Sequence, residues 1–130
     1  YPKIAEWHKE CRNRVDRGEA VRMVDGRRRF LHGEASKHTT FANNTVQGSC
    51  ASVVKLAMAV IYDRLPVIDK TARLIAQIHD EVVIECERDK AEKVLEMAKK
   101  VMEEAGKEIF GDEIALVAEG SYGESWGSAK

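Results

Sequence analysis

Two apolar runs on either side of a polar triplet constrain the fold of this chain more than any other feature. Residues 74–78 and 82–84 are rich in Leu, Ile and Val, and His79, Asp80 and Glu81 lie between them. Runs of this length favour β-strands, so the pattern predicts two adjacent buried strands with the polar triplet at their bend. A carboxylate held at the tip of such a hairpin suits chemistry that needs accurate positioning.

Length and composition indicate a globular protein with a hydrophobic core. The 130 residues are one domain's worth, or a piece of a larger domain, and 44% of them are hydrophobic. No run approaches the ~20 apolar residues that cross a bilayer, and the N-terminus lacks a basic-then-apolar leader. We therefore expect a cytoplasmic protein with no membrane partner.

The three cysteines predict free thiols. Cys11, Cys50 and Cys86 are odd in number and widely spaced, which disfavours a disulfide framework or a zinc site. We expect reduced thiols in the core of an intracellular protein.

Charge is distributed unevenly along the chain. Residues 1–40 carry ten Lys and Arg against six Asp and Glu, whereas residues 41–130 carry eleven against sixteen. The first part therefore has a net charge of about +4 and the second of about −5. A basic N-terminal third is compatible with a polyanionic partner but does not require one.

The remaining pattern predicts an α+β fold. Apolar spacing and turn signals first predict a helix over 2–17 ended by Gly18 and a hairpin of 21–24 and 28–31 around Asp25-Gly26. A polar loop over 32–40 and a long helix over 41–65, closed by Pro66, come next. The hairpin at 73–87 is followed by a helix over 89–105 with Gly106 just beyond it, and by a short strand over 114–118. This order favours an antiparallel sheet with helices on one face. We expect Trp7, Tyr122 and Trp126 in the core.

Asp80 and Glu81 are the candidate catalytic residues. Mg²⁺ commonly binds one or two carboxylates together with substrate phosphates, and two-metal sites stabilise both the attacking and the leaving oxygen. Successive strand residues point to opposite faces, so a second carboxylate must come from elsewhere. Two alternatives stay open. One is a polar turn between buried strands, and the other is a histidine–aspartate metal hydrolase, for which His8, His32 and His38 are poorly spaced.

Asn43 and Gln47 are candidates for contact with nucleic acid. They are four residues apart at the start of the long helix, which places their amides on one face. Amides can bond the minor-groove acceptors that every base pair presents. The alternative is that Asn43 or Asn44 caps the helix and that Gln47 is a surface residue.

Three consecutive arginines follow the first predicted turn. Guanidinium groups match phosphate oxygens, so Arg27, Arg28 and Arg29 could contact a nucleic-acid backbone. Alternation along a strand predicts Arg27 and Arg29 on one face and Arg28 on the other. A solvated edge strand is the equally open alternative.

Several ordered motifs resemble one protein family. They are Tyr1-Pro2-Lys3 up to Trp7, Gly26-Arg27-Arg28-Arg29, Gln47-Gly48-Ser49 with Lys55-Leu56-Ala57-Met58, Gln77-Ile78-His79-Asp80-Glu81-Val82-Val83, Gly123-Glu124-Ser125-Trp126 and Ser128-Ala129-Lys130. Along essentially the whole chain, they resemble the C-terminal palm region of family A DNA polymerases, the DNA polymerase I family. The resemblance implies a fragment of a polymerase domain, in which a palm-type antiparallel sheet with a motif C hairpin packs against long helices.

The resemblance also implies residue roles. Asp80 matches the motif C aspartate that helps bind two catalytic Mg²⁺ ions, and Glu81 matches the acidic residue beside it. His79 matches a residue that contacts the primer near its 3′ end. Gln47 and Asn43 match amides that contact the minor-groove side of the nascent base pairs.

The implied function is template-directed nucleotidyl transfer to a primer 3′-hydroxyl by a DNA-directed DNA polymerase. Its implied partners are primer-template DNA, a deoxynucleoside triphosphate and the remainder of the polymerase, and its implied cofactor is Mg²⁺. Residues 1–40 would form the end of the connection between fingers and palm, and residues 41–130 the C-terminal palm. A non-catalytic nucleic-acid-binding or assembly module that keeps the palm shape remains the alternative.

The chain also departs from the family pattern. Thr39, Thr45 and Ser52 stand where arginine, proline and aspartate are usual, and the connection from the arginines to the long helix is short. These departures favour a divergent branch, either viral or split. The other metal-binding aspartate and the fingers helix that grips the nucleotide are not found, so we expect the C-terminal portion of a polymerase, inactive by itself.

Overall fold

A computed structural model describes residues 1–33 and 36–129, so part of the predicted loop at 32–40, and Lys130, lie outside the described residues. The main elements are α1 (Pro2–Asp16), β1 (Val21–Arg22), β2 (Arg28–Arg29), α2 (His38–Ile68), β3 (Arg73–Ile78), β4 (Glu81–Glu85) and α3 (Ala91–Phe110). The described chain forms two compact units, Tyr1–Cys50 and a second from Ala51 onward. The predicted α+β class is confirmed, with two separate two-stranded antiparallel sheets.

The first unit has a small core beneath α1. Pro2 lies in the first turn of α1, where its missing N–H costs nothing. The core residues are Cys11, Val21, Phe41 and Ala42. Trp7 is 39% exposed, so the prediction that it lies in the core is wrong. Of the residues of α1, only Cys11 is buried. All three cysteines are free, as predicted, and Cys50 and Cys86 are half-buried.

Helix α2 is longer at both ends than the sequence predicts. It begins at His38, and Pro66 lies inside it rather than closing it. Proline removes one helical hydrogen bond, the one to the carbonyl of Tyr62. Near the helix end this loss is tolerated, because the Asp69 N–H still donates to the Leu65 carbonyl at 2.9 Å. Leu65 is buried, which favours keeping this last turn in place.

The second hairpin forms as predicted, but its strands are less buried. Ile78 pairs with Glu81, so the turn consists of His79 and Asp80, and Glu81 is the first residue of β4 rather than part of the bend. No residue of either strand is fully buried. One face of a two-stranded sheet packs on the core and the other is exposed to solvent. The apolar runs do not show which of their residues lie on the exposed face. A register shift between Leu74 and Ala76 marks a bulge.

The core of the second unit joins helices α2 and α3. Its buried members are Val53, Ala57, Ile61, Leu65, Ala72, Val94, Val101 and Ala105. Leu74 of β3 and Ile84 of β4 pack against this cluster, so one face of the hairpin rests on the helices. The tip of the hairpin therefore extends from a fixed base.

Gly106 lies inside α3 rather than beyond its end. The helix continues to Phe110, and Gly111, with φ of +71°, terminates it. Gly106 is buried because the side chain of Leu116 covers it: an added Cβ would lie 2.7 Å from Leu116 Cδ1. The glycine is thus used for close packing and not as a helix stop.

We expect Gly106→Ala to destabilise the chain by up to about 2 kcal/mol. Alanine gains about 1 kcal/mol of helix propensity, but overpacking costs about 1–3 kcal/mol, and Leu116 Cβ at 3.0 Å leaves little room for adjustment. Urea unfolding would measure the change. The control is the same substitution in a Leu116→Gly background, which removes Cβ as well, so most of the cost should disappear there. An equal loss in both backgrounds would show that Leu116 is not the cause.

The predicted strand over 114–118 is absent from the described part of the chain. Residues 115–120 have no regular secondary structure, and the Ala118 N–H donates to a side chain, Glu103 Oε1, at 3.2 Å. Leu116 packs on Gly106 instead of joining a sheet. An apolar, β-favouring sequence forms a strand only where a neighbouring strand offers its backbone groups.

None of the helices within residues 1–33 and 36–129 combines the length and the apolar character that a membrane span requires.

Candidate active site

Asp80 lies at the tip of the β3–β4 hairpin. It follows His79, whose φ of +55° is unusual for a residue other than glycine. A positive φ at the first of two turn residues is typical of tight hairpin loops that match strand twist. The side-chain amide of Gln77 donates to the His79 carbonyl and braces the turn. Asp80 is exposed, so its carboxylate is accessible.

Glu81 is engaged by the C-terminal tail. The indole N–H of Trp126 donates to Glu81 Oε1 at 2.8 Å, and Ser125 and Ser128 form a reciprocal cap around the short helix that contains Trp126. Arg88 and Glu124 form a further ion pair. Trp126 is 50% exposed and Tyr122 is 59% exposed, so the prediction that they are core residues is wrong. Sequence reasoning missed this contact.

A candidate metal site at Asp80 would use a single carboxylate from the described residues. Within residues 1–33 and 36–129, no group of three or more His, Cys, Asp or Glu side chains is placed to hold a metal ion. The histidine–aspartate hydrolase alternative requires such a cluster and gains no support. An exposed carboxylate at Asp80 does fit a Mg²⁺ site, because Mg²⁺ can use one or two protein carboxylates and complete its shell with phosphates and water.

Asn43 and Gln47 are both exposed on α2, one turn apart. The capping alternative for Asn43 or Asn44 is wrong, because the helix has already begun at His38. Asn44 has another role: its side-chain N–H donates to the Thr40 carbonyl at 2.7 Å, and its Oδ1 accepts from Arg29 at 2.6 Å.

The three arginines differ in their contacts. Arg27 donates to the Gly48 carbonyl at 2.7 Å and pairs with Asp25, also at 2.7 Å. Arg29 reaches the same helix through Asn44. These contacts confirm that Arg27 and Arg29 share a face, which leaves Arg28 on the opposite face of β2. All three side chains are exposed.

Residues 1–128 match the sequence profile of DNA polymerase family A. The chain therefore belongs to DNA polymerase family A, and the family resemblance of its motifs is confirmed.

Bacterial DNA polymerases are among the relatives that the chain matches. The chain is 35% identical over 139 aligned positions to the thermostable DNA polymerase I of Thermus thermophilus, covering 100% of the chain and 16% of that protein. It is 34% identical over 127 positions to DNA polymerase I of Aquifex aeolicus, covering 97% of the chain and 21% of that protein. The chain thus spans a small part of these relatives, and a viral origin stays a prediction.

A solved structure has the same fold. The POL domain of Pol1 from M. smegmatis, in complex with DNA primer-template and dNTP, superposes with a TM-score of 0.81 at 20% sequence identity. The match covers 99% of this chain and 24% of that one. At this identity the likeness demonstrates the fold alone.

Proposed function

We propose that this chain is the C-terminal palm part of a DNA-directed DNA polymerase and that Asp80 is its metal-binding carboxylate. The observation that carries the proposal is the exposed Asp80 carboxylate on a two-residue turn, in a chain of family A. The second metal-binding carboxylate would come from the remainder of the polymerase. The chain by itself would then be inactive. The proposed location is the cytoplasm.

The proposed mechanism gives each hairpin residue a defined task. Asp80 would hold Mg²⁺ through its carboxylate, so that the primer 3′-hydroxyl can attack the α-phosphate of the nucleotide and release pyrophosphate. Bound Mg²⁺ would supply positive charge for the developing negative charge, which accounts for most of the catalysis in phosphoryl transfer. His79 would contact the primer end. Glu81 would lie beside the metal site, where the hydrogen bond from Trp126 holds its side chain.

DNA contacts are proposed for the first unit. Asn43 and Gln47 would donate to minor-groove acceptors, which report base-pair geometry more than sequence. Arg27, Arg28 and Arg29 would contact phosphates. Because Arg27 and Arg29 are already tied to α2, they would present preorganised guanidinium groups at a lower entropic cost. We also propose that residues 1–40 form the end of the connection between fingers and palm and that residues 41–130 form the C-terminal palm.

A hybrid polymerase tests the proposal. The chain would replace the matching C-terminal segment of the Thermus thermophilus DNA polymerase I, and primer extension with Mg²⁺ would be compared with the chain alone and with the polymerase lacking the segment. We expect extension by the hybrid only. A correctly folded hybrid that binds primer-template but does not extend it would contradict the proposal.

The alternative is a non-catalytic module that binds nucleic acid. Three exposed arginines and two exposed amides in the first unit support binding as such. In that case DNA affinity would fall with rising salt concentration and with substitution of Arg27, Arg28 and Arg29, and no hybrid would extend a primer. Extension by the hybrid therefore separates the two functions.

A further inference from the structure

Both ends of the β3–β4 hairpin are tied to one buried carboxylate, Asp69. Asp69 directly follows helix α2 and is 7% exposed. Its Oδ1 accepts from the backbone N–H of Thr71 at 2.8 Å and from the Thr71 hydroxyl at 2.7 Å. Its Oδ2 accepts from the backbone N–H of Glu87 at 2.8 Å. Thr71 precedes β3 and Glu87 follows β4, so a single side chain joins the two legs to the end of the helix.

This junction lies at the base of the hairpin, where the two strands leave the core. The strands are only half-buried and contain a register shift, so strand packing alone holds them weakly. Asp80 lies at the far end, seven residues from Glu87. A small rotation at the base becomes a larger displacement at the tip.

The hydrogen bonds favour the ionised form of Asp69. Donation by the Thr71 hydroxyl, and then by the Glu87 and Thr71 backbone N–H groups, lowers the pKa of Asp69 to about 2. A carboxylate accepts at both oxygens, as this geometry requires. An asparagine side chain has one acceptor oxygen and one NH₂ donor group. In Asp69→Asn, the N–H of either Thr71 or Glu87 would therefore face an NH₂ group and lose its acceptor.

We propose that Asp69 is a positioning residue for Asp80: it sets the base of the hairpin and thereby the location of the carboxylate at its tip. The inference rests on the proposed polymerase function. It concerns a residue that acts through its hydrogen bonds with Thr71 and Glu87.

Glu87 offers a matched pair of variants that isolates one tie. Its φ of −61° suits proline, so Glu87→Pro removes the N–H that donates to Asp69 with little backbone strain. Glu87→Ala keeps that N–H and serves as the control. Asp69→Asn changes the acceptor of the same hydrogen bond instead of its donor. Its control is Asp63→Asn, which removes an exposed carboxylate from α2.

The variants would be measured in two settings, well below their melting temperatures. In the chain alone, hydrogen exchange of the β3–β4 amides should become faster in Glu87→Pro and Asp69→Asn than in their controls. In the hybrid polymerase, both should slow single-turnover extension about tenfold or more. The Mg²⁺ concentration for half-maximal rate should rise, while primer-template affinity stays unchanged. A purely structural role would lower the melting temperature without moving the Mg²⁺ dependence.

Two results would overturn the inference in distinguishable ways. If Glu87→Pro and Asp69→Asn extend primers as fast as their controls while Asp80→Ala is inactive, the positioning role fails and the polymerase function stands. If Asp80→Ala is as active as the parent hybrid, the metal-binding role of Asp80 fails, and the positioning role fails with it. Should Asp69→Asn not fold, the Glu87 pair still decides the question.

Discussion

Asp80→Asn in the hybrid polymerase is expected to lower primer extension by at least about 100-fold. The substitution keeps the size of the side chain and removes the charge that a hard cation prefers. Loss of a residue that merely orients a metal ligand costs about 10–100-fold, so loss of the ligand itself should cost more. Single-turnover extension at saturating primer-template and nucleotide would measure the effect, and raising the Mg²⁺ concentration should restore part of the rate.

The matched control is Asp63→Asn, which removes an equivalent charge from an exposed position of α2. It should leave extension unchanged. Primer-template affinity should be similar in both variants, because Asp80 is proposed to act on metal and not on DNA. Equal rates for the two variants would refute the proposed role of Asp80 and would favour the binding-module alternative.

Ile61→Ala is expected to destabilise the chain by about 2–5 kcal/mol. Ile61 is 0% exposed and lies in the core cluster shared by α2 and α3. Its removal loses apolar contacts and leaves a cavity that two packed helices cannot fill by small shifts. Because domains are stable by about 5–15 kcal/mol, the loss is a large part of the total. Urea unfolding would measure it as a lower midpoint with an unchanged slope.

Val67→Ala provides the control within the same helix. Val67 is 87% exposed, so its truncation should change stability by no more than about 0.5 kcal/mol. A small loss for Ile61→Ala would mean that the two helices repack, and the close packing described for this core would then be wrong.

The sequence predicted most elements because their signals are local. The β3–β4 hairpin follows from two apolar runs around a polar turn. The β1–β2 hairpin follows from Asp25-Gly26, but its strands are only Val21–Arg22 and Arg28–Arg29, shorter than the predicted 21–24 and 28–31. Helices α1 and α3 follow from apolar residues at helical spacing. The prediction that Arg27 and Arg29 share a face was correct, because the side chains of consecutive extended residues alternate in direction.

The errors arose where a residue's neighbours in space decide its role. Gly106 resembles a helix stop, but Leu116 makes it a packing position. Pro66 resembles the end of α2, but the helix continues to Ile68. Residues 114–118 have a strand-like composition, but in the described part of the chain they have no partner strand, and Leu116 packs on Gly106 of α3. In each case local preference competes with a tertiary contact of comparable energy.

Some features of the candidate site likewise follow from the sequence, and others follow only from the tertiary structure. By itself the sequence determined that a carboxylate would lie at a hairpin bend and that two amides would share a helix face, because turns and helical spacing are properties of consecutive residues. Only the tertiary structure decided that Glu81 accepts from Trp126 and that Asp69 joins both legs of the hairpin. These partners are 45 and 18 residues apart in the chain, and hydrogen bonds over such separations exist only once the core has brought the segments together.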